Sequence, residues 1–252
     1  MNMLQGRVAI VTGASSGIGR ACARHYAREG AAVVVCARRK PLLDALVEEI
    51  GAAGGKALAV ACDIADPAQI KAVVDATIAT FGKVDILANI AQGGLEEQEF
   101  LAETSEERAV YMFRTAAVQS LQFMQACLPH MQARHYGRII NTGSHAAVNG
   151  EPGFAAYAIA KAAVTGLSRV AAKDWARYGI VTNTILPVVR TEAYDNTPQG
   201  RQAAERLAAT NPTGRFGTAE ECAPVLTFLA SEGAGYVNGQ VIGIDGGAYL
   251  LA

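Results

Sequence analysis

The chain has 252 residues, 51% of them hydrophobic, and a net charge of -1. That length suits one large α/β domain and allows a sizeable core. The two signs of charge are interspersed, with no basic block and no acidic tail, which argues against nucleic-acid binding and against a disordered tail.

Seven short apolar runs read as strands. In chain order they are Arg7–Thr12, Ala31–Ala37, Lys56–Asp63, Lys83–Asn89, Gly137–Ser144, Gly179–Pro187 and Gly239–Gly247. Near-continuous hydrophobic runs of this kind mark strands buried on both faces. Helical stretches lie between them: Pro41–Ala53, Pro67–Phe81, Thr104–Ala133, Ala155–Tyr178 and Thr218–Ala230. Pro41 suits a first helical turn. The alternation predicts a parallel sheet covered on both faces. Residues 188–212 form the main irregular segment, which predicts a lid or binding loop.

The five cysteines (Cys22, Cys36, Cys62, Cys127, Cys222) stand singly. They read as small buried hydrophobes in a reducing compartment, and no metal site is expected. No charged segment followed by an apolar core marks a signal peptide. No apolar run approaches the ~20 residues of a membrane helix. A soluble, cytoplasmic protein is expected.

The first strand runs into TGASSGIGRACARHYA, Thr12 to Ala27. Gly13, Gly17 and Gly19 follow a strand and open a helix. Glycines permit a tight turn and close approach of the backbone to a ligand. The helix N-terminus offers unpaired N–H groups and a positive dipole end to a pyrophosphate. The end of the second strand decides between the two nicotinamide dinucleotides. An acid there accepts from the 2′-hydroxyl of NAD, and an Arg accommodates the 2′-phosphate of NADP. Here the strand ends CARRK, with Ala37 followed by Arg38, Arg39 and Lys40. A guanidinium is a planar fork of donors suited to phosphate. The reading is NADP(H) in preference to NAD(H), with Arg38 as the principal contact; a solvated basic turn is the plainer alternative.

Further along, AAYAIAKAAV places Tyr157 and Lys161 four residues apart, on one helix face. Ser144 closes the fifth strand thirteen residues before Tyr157. With TGASSGIG, this constellation resembles the short-chain dehydrogenase/reductase family over essentially the whole chain. CDI at Cys62–Ile64, LAN after the fourth apolar run, GRIINTGS and the terminal GQVIGIDGG belong to the same resemblance. It implies a single-domain, doubly wound Rossmann-like fold with a seven-stranded parallel sheet over residues 1–252. It implies hydride exchange between a nicotinamide and a carbonyl/alcohol pair. Tyr157 is then the acid/base. A phenol titrates near 10, and a nearby ammonium lowers that value, which is the part of Lys161 together with holding the nicotinamide ribose. Ser144 hydrogen-bonds the substrate oxygen. Cofactor contacts fall on Gly13, Ser15, Ser16, Gly17, Ile18, Gly19, Arg38, Arg39, Asp63, Ile64 and Asn89, with Asp63 at the adenine. Family members are commonly homotetramers.

Three departures stand out. The family pattern N-N-A-G is here NIAQ, Asn89 to Gln92, so Gln92 adds bulk beside the cofactor or the substrate mouth. The Asn that the family places on the long helix before the fifth strand is Ala116. In the family that residue's main-chain carbonyl holds a water that relays protons to the lysine, and losing the side chain threatens the local helix distortion that presents it. The pattern P-G-x-V/I-x-T is shortened to PVVRT, leaving Val189 and Thr191 as the nicotinamide-amide contacts. His145, Gln92, Phe154 and Tyr194 are candidate pocket residues by position; His145 reads equally as a loop histidine. His25, His130 and His135 read as helix-face residues. Loops 92–104 and 188–212 set the substrate. Two rival readings go with this one. A reductase of carrier-bound 3-oxoacyl chains needs a basic patch at the mouth, and the scattered arginines favour a free small molecule. The other is a cofactor-binding or non-redox protein on the same fold.

Overall fold

The computed structural model describes residues 2–94, 99–195 and 198–249; the side chains at 193, 194, 198, 199 and 203 also lie outside the description. Seven strands form one parallel sheet in the order β3-β2-β1-β4-β5-β6-β9. They are β1 Val8–Thr12, β2 Ala32–Ala37, β3 Lys56–Ala61, β4 Ile86–Asn89, β5 Gly137–Thr142, β6 Ile180–Pro187 and β9 Val241–Ile244. The expected fold class stands: every pairing in the sheet is parallel, in register Ala9↔Val33 and Ala9↔Ile86 at the centre.

Alternate residues of each central strand feed two separate cores. On one face Ala9, Val11, Val33 and Val35 meet Cys22 and Tyr26 of α1 (Gly17–Arg28) and Leu43 and Leu46 of α2 (Lys40–Ala52). On the other, Ile10, Val34 and Ile139 meet Ile70 and Val73 of α3 (Pro67–Phe81) and Phe123, Met124 and Met131 of the long helix before β5. Both faces of the strands are therefore dry, which is why the sequence shows runs and not alternation.

Helix ends follow local chemistry. Asp66 caps α3 by accepting from the Ala68 N–H at 2.9 Å, Pro67 occupies the first turn, and Gly82 closes it at φ +73°. Thr218 and Glu221 form a capping box at α10 (Ala219–Ala230).

Two expectations need correction. The stretch 104–133 is not one regular helix. It runs as α4 Glu106–Phe113, a π-helical turn at Arg114–Val118, and α5 Gln119–Ala133. Residues 188–212 are not irregular throughout. They hold β7 Val189–Arg190, α8 Glu192–Asp195 and α9 Pro198–Thr210, with a short helix α6 at Ala146–Asn149 and α7 at Ala155–Asp174 before them. β7 pairs with β8 Gly217–Thr218. Among the described residues no helix is long and apolar enough to cross a membrane.

The amino ends of the strands are fastened by Asp85, which is fully buried. Its carboxylate accepts from the Val8 N–H at 2.9 Å and lies 2.8 Å from the Lys83 ammonium, with Arg7 at 3.7 Å and Arg134 at 3.8 Å. Arg7 and Arg138 both lie over the Tyr136 ring, at 3.6 and 4.3 Å from its centroid. Removing a buried partner leaves the facing charges uncompensated, so Asp85→Ala is expected to lose about 3–5 kcal/mol in urea unfolding. A loss under about 1 kcal/mol, the size of a surface pair, would contradict this account.

Candidate active site

In an open parallel sheet the crevice opens at the carboxyl ends of the strands, where the strand order reverses. Here the reversal lies between β1 and β4. The glycine turn leaves β1 at that point. Gly13 has φ +69°, and a Cβ on it would stand 3.0 Å from the Ala91 Cα. A Cβ on Gly19 would stand 2.4 Å from the Gly13 carbonyl oxygen. The turn is thus too tight for side chains and brings bare backbone to the mouth of α1. The Ser16 N-cap makes no side-chain capping bond, so it leaves the first amides of α1 without that partner. Thr12 ties the turn to the opposite wall: its hydroxyl accepts from the N–H groups of Ile90 and Ala91 at 2.9 and 3.0 Å.

The basic pair after β2 is placed unevenly. Arg39 reaches back to the turn and donates to Ser15 Oγ at 3.1 Å and Ser16 Oγ at 2.8 Å. Arg38 is exposed. Arg39 is exposed as well, and its guanidinium is the one hydrogen-bonded to the glycine turn, next to the Arg38 that the sequence reading favoured. Asp63 accepts from the Ala65 N–H at 2.9 Å through one carboxylate oxygen, which fixes the turn after β3, and Ile64 is half-buried beside it. Asn89 donates from Nδ2 to Asn141 Oδ1 at 2.8 Å, and its own Oδ1 is buried with no donor among the described residues. Ile18 packs on the core below the turn. Thr191 comes within 3.3 Å of where a Gly17 Cβ would lie, and Val189 is buried in β7. A glycine cradle, a guanidinium between two serine hydroxyls and an orphaned amide oxygen fit a bound dinucleotide.

The second cluster stands on β5 and α7. Lys161 is 2% exposed, and its Nζ donates to the Thr142 carbonyl at 2.8 Å. Nζ lies 5.6 Å from the centroid of the Tyr157 ring, on the same helix face as the i,i+4 spacing requires. Burial pulls the Lys161 ammonium down to about 7. Ser144 Oγ accepts from the Ala146 N–H at 3.1 Å, which leaves its hydroxyl hydrogen to donate elsewhere. Phe154 meets the Tyr157 ring edge-on at 6.0 Å and bridges to Glu99. Glu99, Arg108, Met112, Phe154 and Tyr157 line a cleft there. The Tyr194 side chain lies outside the described residues.

Two departures resolve differently from expectation. The helix distortion at Ala116 persists without Asn: Ala116 sits buried within the π-turn. Gln92 does not crowd the crevice with its amide; Nε2 donates to the Gly93 carbonyl at 2.9 Å and to Thr115 Oγ1 at 3.2 Å. His145 is a loop histidine, in the turn between β5 and α6. It is buried, stacked on Tyr249 at 4.4 Å, with Nε2 3.0 Å from Asp245 Oδ2, and burial lowers its pKa. His25, read as a helix-face residue, lies 2.8 Å from Thr227 Oγ1. The sequence reading missed Gln119, Asp245 and Tyr249, because each acts through residues distant in the chain or through its own helix. Among the described residues no cluster of three His, Cys, Asp or Glu side chains forms a metal site.

Residues 13–249 match the enoyl-(acyl carrier protein) reductase family description. The chain is 36% identical over 248 residues to the 3-oxoacyl-(acyl-carrier-protein) reductase of Thermotoga maritima, covering 98% of this chain and 99% of that one. It is 35% identical over 250 residues to a hydroxy(phenyl)methylsuccinyl-CoA dehydrogenase subunit of Thauera aromatica, covering 99% of each. The crystal structure of levodione reductase superposes with a TM-score of 0.91 at 32% identity, over 97% of this chain and 98% of that one. The chain belongs to the short-chain dehydrogenase/reductase family and is an oxidoreductase. Within that family it is similar, along nearly its whole length, to 3-oxoacyl reductases.

The buried ammonium gives a pH test. A lysine pulled down by burial binds its proton less well folded than unfolded. Its penalty is full below about 7 and fades as pH rises toward the ordinary 10.5. Lys161→Met is therefore expected to raise the stability of the cofactor-free protein by on the order of 1–4 kcal/mol below pH 7. The gain should shrink steadily between pH 7 and 10.5 in urea titrations. A gain that does not change with pH would remove the buried charge as its cause.

Proposed function

We propose that the chain interconverts a ketone or aldehyde and an alcohol, using NADP(H) in preference to NAD(H), with Tyr157 as acid/base. The observation that carries this is the buried Lys161 ammonium, anchored on the Thr142 carbonyl at the end of β5, two residues before Ser144, and 5.6 Å from the Tyr157 ring. The nicotinamide, when bound, supplies or accepts the hydride. Tyr157 gives the proton to the developing alkoxide in reduction and takes it in oxidation. Burial alone drives Lys161 toward neutrality, and a phenolate beside it would pull the other way. Ser144, with its lone pair engaged by Ala146, donates to the substrate oxygen and stabilises charge as it develops.

Gly13, Gly17, Gly19 and the amides of α1 would hold the pyrophosphate, Asp63 and Ile64 the adenine, and Asn89, Tyr157 and Lys161 the ribose beside the nicotinamide. Val189 and Thr191 would meet the carboxamide. Arg39, Ser15 and Ser16 form a donor cluster for a 2′-phosphate, with Arg38 beside it. The substrate reads as a free small molecule. Arg190, within the 188–212 segment, and Arg215, just after it, are already paired with Asp195 and Glu221. An acidic carrier would have to compete for them, which weighs against the 3-oxoacyl-carrier reading. Val110 and Phe113 on α4 and Ile159 and Val170 on α7 are exposed apolar side chains that support self-association, read here as a homotetramer in the cytoplasm.

NADPH and NADH oxidation over a panel of ketones and 3-oxoacyl thioesters tests the reading. Tyr157→Phe is expected to lower kcat by about 10²–10⁴-fold, the usual worth of a positioned acid/base. No turnover with any carbonyl, or undiminished turnover in the variant, would sink it. Replacing Arg38 and Arg39 together by Asp is expected to turn the preference toward NADH, with Arg39→Asp alone giving the larger share. An unchanged NADPH/NADH ratio in the double variant would remove both from their role.

A further inference from the structure

The two departures at Gln92 and Ala116 meet in space. Gln92 Nε2 reaches Thr115 Oγ1 at 3.2 Å, and Thr115 is the π-turn residue immediately before Ala116. A π-turn displaces the helical hydrogen-bond ladder, so its carbonyls take unusual partners. The Gln119 backbone N–H serves both Arg114 and Ala116. Its side chain then folds back: Nε2 donates to the Ala116 carbonyl at 3.2 Å and to Ser120 Oγ at 2.9 Å.

Gln119 is 1% exposed, and its Oε1 is buried with no donor among the described residues. An unpaired buried acceptor costs about 1–3 kcal/mol. Leu or Met would fill the same volume in a helix without that cost. Packing alone therefore does not account for an amide here. The turn faces α7, where Met112, Ala116 and Ala117 pack on Ala156 and Ala160 with Tyr157 at the edge of the cluster. Lys161 is the next residue of that helix, buried, with one of its three N–H groups on the Thr142 carbonyl. The stretch of α7 packed here carries no titratable side chain besides Tyr157 and Lys161, and from the segment after β4 Glu99 lines the cleft with Tyr157, its Oε2 buried. Arg114 of the turn is exposed, Arg108 of α4 donates to the Gly94 carbonyl, the Tyr111 hydroxyl lies against Gly93, and His145 is turned to Asp245.

We propose that Gln119 is a positioning residue for the Tyr157–Lys161 pair: its amide fixes the Ala116 carbonyl at the π-turn and adds a second carbonyl dipole across the contact with α7, while Gln92 braces the same turn from the β4 loop. Oriented carbonyl oxygens favour the charged form of a buried ammonium, and the ammonium in turn favours the phenolate. The polar group absent at position 116 is thereby supplied one turn later.

This rests on the roles given above to Tyr157 and Lys161, and its test does not need turnover. Tyrosine ionisation is followed by phenolate absorbance, and the Tyr157 curve is obtained by subtracting the Tyr157→Phe form of each protein. Gln119→Ala is expected to move the Tyr157 midpoint up by on the order of one pH unit. Installing Ala116→Asn in the Gln119→Ala background is expected to bring it back. Where the protein reduces a carbonyl, kcat should follow the same pattern, falling roughly tenfold and recovering, with the KM for the cofactor unchanged. An unmoved midpoint in Gln119→Ala overturns the proposal. So does a moved midpoint that Ala116→Asn fails to restore, which would mark Gln119 as structural. A protein that turns over no carbonyl fails the proposed function, yet its titration still decides this question.

Discussion

The hydrogen bond from the Lys161 ammonium to the Thr142 carbonyl joins α7 to the carboxyl end of β5. It does so inside a dry interface, where a cation is costly and few acceptors are at hand. Around it, β5 ends at Thr142 and Ser144 follows in the turn, α7 presents Tyr157 one turn before Lys161, and the π-turn sets its small residues against Ala156 and Ala160. Larger side chains at Ala156 or Ala160 would push these elements apart. The alanine-rich character of α7 is then a packing requirement, set by how closely a charged group must be held between the carboxyl end of β5 and a neighbouring helix.

The nucleotide half is organised by a different force. Backbone conformation does most of the work there: Gly13 adopts a left-handed φ, and Gly19 lies too near the Gly13 carbonyl for any Cβ. Thr12 then pins the far wall through two amides, so both sides of the crevice share one hydroxyl as a reference point. Arg39 adds charge to a site whose shape is already determined.

Much of this was legible in the chain. The strands show as apolar runs because residues such as Ile10 and Val11 enter cores on opposite faces, leaving no polar positions between them. The i,i+4 spacing put Tyr157 and Lys161 on one helix face, and the resemblance to the short-chain family, carried with TGASSGIG, is what joined Ser144 to them. What could not be read depends on side-chain direction. Arg38 and Arg39 are neighbours in sequence, and only the turn after Ala37 decides which guanidinium swings onto Ser15 and Ser16. Gln92 looked like an obstruction until its amide was found on Thr115. The π-turn has no composition signal, since Arg114 to Val118 reads as ordinary helix. His145 and Asp245 are 100 residues apart, and nothing local announces their contact.

Asp85 and its cationic neighbours lie at the amino ends of the same strands whose carboxyl ends carry the glycine turn and Ser144. A five-residue strand such as β1 holds the two ends well over 7–10 Å apart, beyond the range in which substitutions usually couple. Folding is thus secured at one rim and chemistry varied at the other. A lineage carrying this chain can reshape the reactive rim, as NIAQ and Ala116 have already done, while the fastening at the opposite rim stays intact. The sheet acts as an insulator between heritable stability and heritable specificity.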